Sequence, residues 1–274
     1  MNRDLPAAFL AGLAARAEAN GIFPLVQSGA YRLRAVRCDS PFLVLPLAGR
    51  KRVHLPGAPL DCAVGSFAFW QQPSQLDVEN IPDAGGDYRA LVIPFAWALV
   101  ELARGLLDRH QPLARSQAFV ESGPVDAVSD ALDELIGSET VDALAREHRL
   151  LGLLLALAKA GHDGFRLARN PSFTERIRSR IAAEPARAWT SALLEAEFSV
   201  SGATLRRRLA EDDCSLRALL REARLHHGLN LLQTSRKPLK AIALDSGYRS
   251  TTQFAQRFTE RFGVAPSAVQ SRAR

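Results

Sequence analysis

The sequence predicts an α+β chain. A small antiparallel β-barrel or sandwich leads, taken as a barrel, connector helices follow, and an all-α C-terminal domain carries two helix-turn-helix units. Three observations point there. From Trp189 to Pro266 one pattern is written twice: Leu194 recurs as Ile242, Ser201 as Ser250, Leu205 as Phe254 and Leu209 as Phe258. Each copy runs short helix, turn, polar cap and second helix, with apolar residues four apart. Between Phe23 and Pro94, by contrast, short apolar runs alternate with Gly, Pro and Asp breaks, the grammar of strands and hairpins. The charge is also divided. Residues 171–274 hold 18 Lys and Arg against 10 Asp and Glu, a net of +8, whereas residues 1–170 hold 17 against 19, a net of −2.

At 274 residues and 47% hydrophobic, the chain suits one large or two ordinary domains and can bury real cores. Residues 4–20 read as an amphipathic helix, with Asp4 as cap and Pro6 in the first turn, and not as a leader. The longest apolar run, Leu150 to Ala158, is about half of what spans a bilayer. No membrane association is expected. Three widely spaced cysteines, Cys38, Cys62 and Cys214, suit a reducing cytoplasm better than a disulfide framework.

Within the barrel the expected strands are YRLRAVR, FLVLPL, KRVHL, SFAFW, QLDVEN and YRALVI. Turns are expected at Ala48-Gly49, Pro56-Gly57, Val64-Gly65 and Gly85-Gly86. Helices follow over 95–107, 124–136 and 141–160, the last with Leu144, Leu151, Leu154, Leu155 and Ala158 on one side. The resulting organisation is a β-rich sensor over 1–115, a helical connector over 116–168 that could pair two chains, and a nucleic-acid-binding domain over 171–274.

In the C-terminal domain Ser201 caps the second helix of the first unit. Leu205 and Leu209 bury it, leaving Gly202, Ala203, Thr204, Arg206 and Arg207 outward, with Arg208 further round. In the second unit Ser250 caps, and Phe254 and Phe258 bury. Thr251, Thr252, Ala255 and Gln256 face outward, with Arg249, Arg257 and Arg261 beside them. An apolar stripe that holds a helix on its scaffold, with a polar N-terminal face, is what a major-groove reader needs. Arg pairs bidentately with guanine, Gln reads adenine and Thr contacts either base edges or a thymine methyl. Flanking Arg suits phosphates. Between the units, residues 215–234 carry a leucine stripe. About 20 residues at about 1.5 Å each give about 30 Å, close to the roughly 34 Å between successive major-groove faces of B-DNA. One chain can thus set two recognition helices in adjacent turns of double-stranded DNA. The competing reading is an all-helical core with a solvated charged face. It does not explain two copies at this separation.

The stretch resembles the DNA-binding domain of the AraC/XylS family of bacterial transcription regulators. The resemblance rests on Trp189, Ser201, the TLRRRL run from Thr204, the SLRALLREARL run ending at Leu225, Ile242-Ala243, Gly247-Tyr248, Phe254, Phe258, Phe262-Gly263 and Pro266. It implies two helix-turn-helix units joined by a linker helix. By position, Ala203, Thr204, Arg207, Thr251, Thr252 and Gln256 would face bases. The chain departs from the family pattern at Glu195, where a small Ala is usual, at Asp213, where Gly often turns the chain, at Gly228 in the linker helix, and at Val269-Gln270. LPLAGRKRVHLPG and the VGSFAFW run resemble the cupin-like sensor domain of one branch of the family, which implies effector sensing or dimerisation.

Cupin enzymes hold a metal through a His-x-His pair with Glu and another His. Here His54 has Arg52 two residues before it and Pro56 two after, so neither metal nor other cofactor is expected. His226 and His227 are expected to solvate the linker helix or touch phosphate. Cys38 and Cys62 are read as buried apolar thiols in preference to sensors of oxidants, and Arg50-Lys51-Arg52 as strand decoration in preference to an anion site. No nucleophile-base-acid set stands out, so an enzyme is not expected. The function these features predict is a sequence-specific transcription regulator, taken to be an activator. An effector or partner contact in its barrel would shift how the connector pairs two chains, and so promoter occupancy or RNA polymerase contact. The alternative is a cupin-like small-molecule binder or enzyme with a degenerate helical tail.

Overall fold

The computed structural model describes residues 22–110, 117–136, 142–167, 170–235 and 237–270. The expected helix over 4–20 lies outside them, as does Val141. Contacts divide the chain between residues 167 and 168 into two compact units.

Among its described residues the first unit holds nine strands: β1 (Phe23–Gln27), β2 (Tyr31–Cys38), β3 (Phe42–Ala48), β4 (Arg50–His54), β5 (Leu60–Ala63), β6 (Ser66–Trp70), β7 (Ser74–Ile81), β8 (Tyr88–Pro94) and β9 (Val120–Pro124). They form two antiparallel sheets, ordered β1-β8-β3-β6-β9 and β2-β7-β4-β5. Of the two expected forms, barrel or sandwich, the chain takes a pair of open sheets, because no ladder among the described residues joins one sheet to the other. All four expected turns fall between strands. The β3–β4 turn requires glycine: Gly49 sits at φ 71°, and a Cβ there would lie 2.4 Å from the Ile81 carbonyl oxygen.

Why FLVLPL and SFAFW are almost continuously apolar follows from the layers. Side chains alternate across a strand. Leu43, Leu45, Phe67, Phe69, Leu91 and Ile93 pack in one core with the helices. Phe42 and Trp70 instead stack on each other, ring centroids 4.5 Å apart. The five-stranded sheet is covered on both faces. Its helical cover comprises α1 (Trp97–Leu107), α2 (Ser129–Ile136) and α3 (Ala143–Lys159). The segment expected to be helical from Pro124 instead ends β9 and passes through a 3₁₀ turn, Val125–Val128, before α2. Strand β9 pairs with β6, so chain within the expected connector completes the sheet.

Asp142 caps α3, accepting from the Ala145 amide at 2.8 Å. Its buried stripe is Leu153, Leu154, Leu157 and Ala158. Leu144, expected on that stripe, is 77% exposed. The Leu150–Leu157 run lies in the internal core with α1 and α2 residues.

The regular elements among the described residues of the second unit are helices: α4 (Phe173–Ala183), α5 (Ser191–Phe198), α6 (Gly202–Glu211), α7 (Leu216–Thr234), α8 (Leu239–Asp245), α9 (Thr251–Phe262) and α10 (Pro266–Val269). Ser172 and Glu175 form a reciprocal capping box at α4, which satisfies two otherwise orphaned backbone donors. Leu219 and Ala223 of α7 join Ile177, Trp189, Leu194, Leu205 and Leu209 in one core. Further along, Gly228 of α7 meets Phe254 of α9 and His226 meets the Phe262 edge at 5.2 Å. One helix thus serves two small cores. No described helix is long and apolar enough to cross a membrane.

Candidate nucleic-acid interface

Each helix-turn-helix is fixed by local chemistry. In the first, Ser199 closes α5 in the left-handed conformation, φ 52°, and Ser201 caps α6 by accepting from the Thr204 amide at 3.2 Å. In the second, Gly247 makes the turn at φ 78°, and Ser250 accepts from the Gln253 amide at 3.2 Å. Leu205 and Leu209 bury α6, and Phe254, Phe258 and Phe262 bury α9. The opposite face of each helix is left to solvent.

On α6, Ala203, Arg206 and Arg207 are exposed and Thr204 is half-buried. Thr204 Oγ1 lies 3.0 Å from Ser201 Oγ. Arg207 pairs with Glu211 at 3.1 Å, an exposed bond that salt screens and that phosphate or guanine can replace. Arg208 turns away and lies 4.8 Å over the Phe173 ring. On α9, Thr252, Gln253, Gln256 and Arg257 form the exposed face, while Thr251 and Ala255 are half-buried; Arg249 is exposed just before the cap. Gln256 and Arg257 each donate to Glu260 at 2.9 Å. Those two bonds, Gln256 first, hold the Glu260 carboxyl below the usual range.

The structure also gathers residues the sequence reading had not singled out. Arg217, Arg221 and Arg224 of α7 line a groove of about 710 Å³ together with Arg249, Gln253 and Arg257. Their spacing of four and three along one helix was a readable signal. The groove is bordered by Trp189 and Ser191 just ahead of and in α5 and by Tyr248 ahead of α9, so it runs along α7 between the start of α5 and α9. A concave row of guanidiniums there fits a phosphate backbone. Arg261, expected near phosphate, instead pairs with Glu222 of α7 at 2.7 Å and ties α9 to the linker helix.

The departures from the family pattern find physical partners. Glu195 Oε1 accepts from Ser191 Oγ at 2.9 Å and occupies space that a Cβ on Gly202 would enter at 2.7 Å. A carboxylate where Ala is usual is matched by a glycine at the start of α6, where the helix dipole favours negative charge. Asp213 adopts φ 49°, which Asp tolerates better than most residues. At Gly228 a Cβ would fall 2.6 Å from the Phe254 ring, so the glycine permits close helix approach. These fits remove the ground for reading the helical tail as degenerate.

Elsewhere, His54 Nε2 lies 2.8 Å from Glu79 Oε1. Among the described residues no group of three or more His, Cys, Asp or Glu side chains is placed to hold a metal ion. Burial pushes the Cys38 thiol up to about 12 and the Cys62 thiol to about 11. Such thiols stay protonated and are poor nucleophiles.

Two Ser-capped helices with polar outer faces, set on one helical scaffold with an arginine groove along α7 beside the second, define a DNA-binding helix-turn-helix domain. Residues 194–272 match the helix-turn-helix domain family. Similar curated proteins include the transcriptional activator AggR of Escherichia coli, 29% identical over 94 residues, 34% of this chain and 36% of that protein. The regulator GadX of Escherichia coli K12 is 29% identical over 103 residues, 38% of each chain. The chain thus spans little more than a third of the length of these relatives. The similarity to these regulators is confined to the C-terminal domain. Over nearly the whole chain the fold is similar to that of ToxT from Vibrio cholerae, solved with an unsaturated fatty acid bound: TM-score 0.59, 16% identity, 90% of this chain and 92% of that one.

Proposed function

We propose that the chain is a cytoplasmic, non-catalytic transcription regulator that binds double-stranded DNA sequence-specifically. Helices α6 and α9 enter adjacent major-groove segments. Ala203, Thr204, Arg206 and Arg207, then Thr251, Thr252 and Gln256, meet base edges. Arg249 and Arg257 meet phosphates, and with Arg217, Arg221 and Arg224 they hold the backbone between the segments. The single observation that carries this reading is the arginine groove that α7 forms beside the capped, outward-facing helix α9. The β-rich unit takes the regulatory part, through a small-molecule effector, pairing of two chains or contact with RNA polymerase. The fatty acid held by the similarly folded ToxT supports the first of these.

Selection of bound duplexes from genomic fragments, followed by footprinting, tests the proposal. Protection of two adjacent major-groove segments per monomer is expected. Uniform protection, indifferent to sequence, would sink it.

A further inference from the structure

The least explained group in the first unit is a buried lysine. Across the four-stranded sheet, Tyr31, Asn80, Lys51 and Cys62 stand opposite one another on β2, β7, β4 and β5. Lys51 is only 8% exposed. Its Nζ donates to Asn80 Oδ1 at 2.9 Å and lies 5.7 Å from the centre of the Trp70 ring on the opposing sheet. Asn80 in turn donates to Gln27 Oε1 at 2.9 Å. The row therefore faces the five-stranded sheet. Among the described residues no carboxylate pairs with Lys51. Its electrostatic neighbours are Cys38 and Cys62, both held protonated by burial. A buried ammonium with only a neutral amide as partner is unusual, because burying a charge is costly unless an opposite charge offsets it.

Around it stands a surplus of donors. Trp70 Nε1, Tyr88 Oη and Ser74 Oγ are buried and have no hydrogen-bond partner. Trp70 and Tyr88 are almost wholly enclosed. Ser74 pairs in the ladder with Cys38, and Tyr88 senses Cys62 and Tyr31, so these groups share the Lys51 neighbourhood. The nearby amide acceptors, Asn80 Oδ1 and Gln27 Oε1, are already engaged. What such a set lacks is an acceptor-rich anion. A single cation amid aromatic and aliphatic inner-face residues, Leu33, Val53 and Val78, suits a monoanion with an apolar body better than a phosphate, which is held by several cations.

We propose that the inner face at Lys51 is the effector site and takes a small organic carboxylate. The carboxylate sits on Lys51 Nζ with Trp70, Tyr88 and Ser74 as further donors, and the apolar body lies along the sheet interior. As an effector site it rests on the regulator reading above; as a binding site it does not.

The test uses the full chain with octanoate, dodecanoate, benzoate and 1-naphthoate, each beside its primary amide. Binding is read by melting temperature and tryptophan fluorescence, and DNA footprints are taken in parallel without ligand. At least one acid is expected to raise the melting temperature and perturb fluorescence while its amide does neither. Lys51→Met, which keeps the apolar stem, is expected to weaken that acid by about tenfold or more and to leave the ligand-free footprint intact. Should Lys51→Met not fold, Tyr88→Phe and Ser74→Ala serve, each expected to weaken the acid by about threefold or more. Acids and amides acting alike, variants binding the acid as the wild type does, or no acid acting at all would overturn the site. A normal footprint with those results leaves the regulator reading standing. Acid-specific binding with no footprint on any duplex sinks the regulator reading alone.

Discussion

Glycine 228 shows how a residue can look like a defect in sequence and be a requirement in space. Inside a helix it costs about 1 kcal/mol against alanine. Yet a Cβ there would lie 2.6 Å from the Phe254 ring and 3.0 Å from Ser246 Oγ, and Phe254 is fully buried. Gly228→Ala is therefore expected to lose about 1–3 kcal/mol through overpacking, despite better helix propensity, and to melt several degrees lower. A variant as stable as the wild type would mean the ring has room to move. Gly202→Ala should be much milder, since the atom in the way there is the end of the flexible Glu195 side chain. Neither pairing was legible in the sequence. Propensity and family pattern report one position at a time, whereas Glu195 with Gly202, and Gly228 with Phe254, are contacts between positions.

At the scale of the element, the two readers were legible because their buried lines repeat every four residues and their caps are serines. The strands were legible as runs between glycine and proline breaks. What stayed hidden was rotation. Phe254, Phe258 and Phe262 set the inward line of α9 so that Gln253 is exposed and Thr251 half-buried, a shift of one position that outward-facing residues alone do not reveal. Also hidden was the second duty of α7, whose apolar stripe is conspicuous but whose arginines matter only once a groove faces them. Arg217→Ala and Arg221→Ala are expected to weaken all duplexes alike and to lower the salt slope by about one each. Gln256→Ala should instead relax preference at one half of the site. Identical behaviour of the two classes, in binding titrations over a range of salt, would contradict the sorting of phosphate and base contacts. Arg261→Ala should appear first as a loss of thermal stability, because its guanidinium holds Glu222.

For the whole molecule, two compact units imply two melting events that can answer differently to solution conditions. His227 of α7 provides a marker for the second. Burial, more than the nearby Asp245 and Lys237 charges, holds its imidazole below the ordinary 6.5. A folded state that takes up this proton less readily than the unfolded chain loses stability as pH falls below about 6.5. The transition of the DNA-binding unit should therefore move to lower temperature on acidification, and His227→Gln should flatten that dependence in calorimetry. A slope unchanged in the variant would remove His227 as its source. The two-unit division was visible in the sequence as a change of grammar and of charge. The choice between a barrel and an open pair of sheets was not, since strand pattern fixes faces but not closure. Lys51 was similarly opaque: between two arginines on a short strand it reads as decoration, and only the alternation of β4 turns it inward while its neighbours point out.

The single helix α7, shared by both cores, has a consequence for how the protein can vary. Each residue in a helix advances its azimuth by about 100°. One residue gained or lost between Ala223 and Gly228 would therefore leave both readers folded but swing one of them off the side of the duplex that the other addresses. The linker sets a phase as well as a distance, so its length can change only in near-whole turns. Sequence drift in α7 is free at exposed positions outside the arginine groove and locked in its residue count.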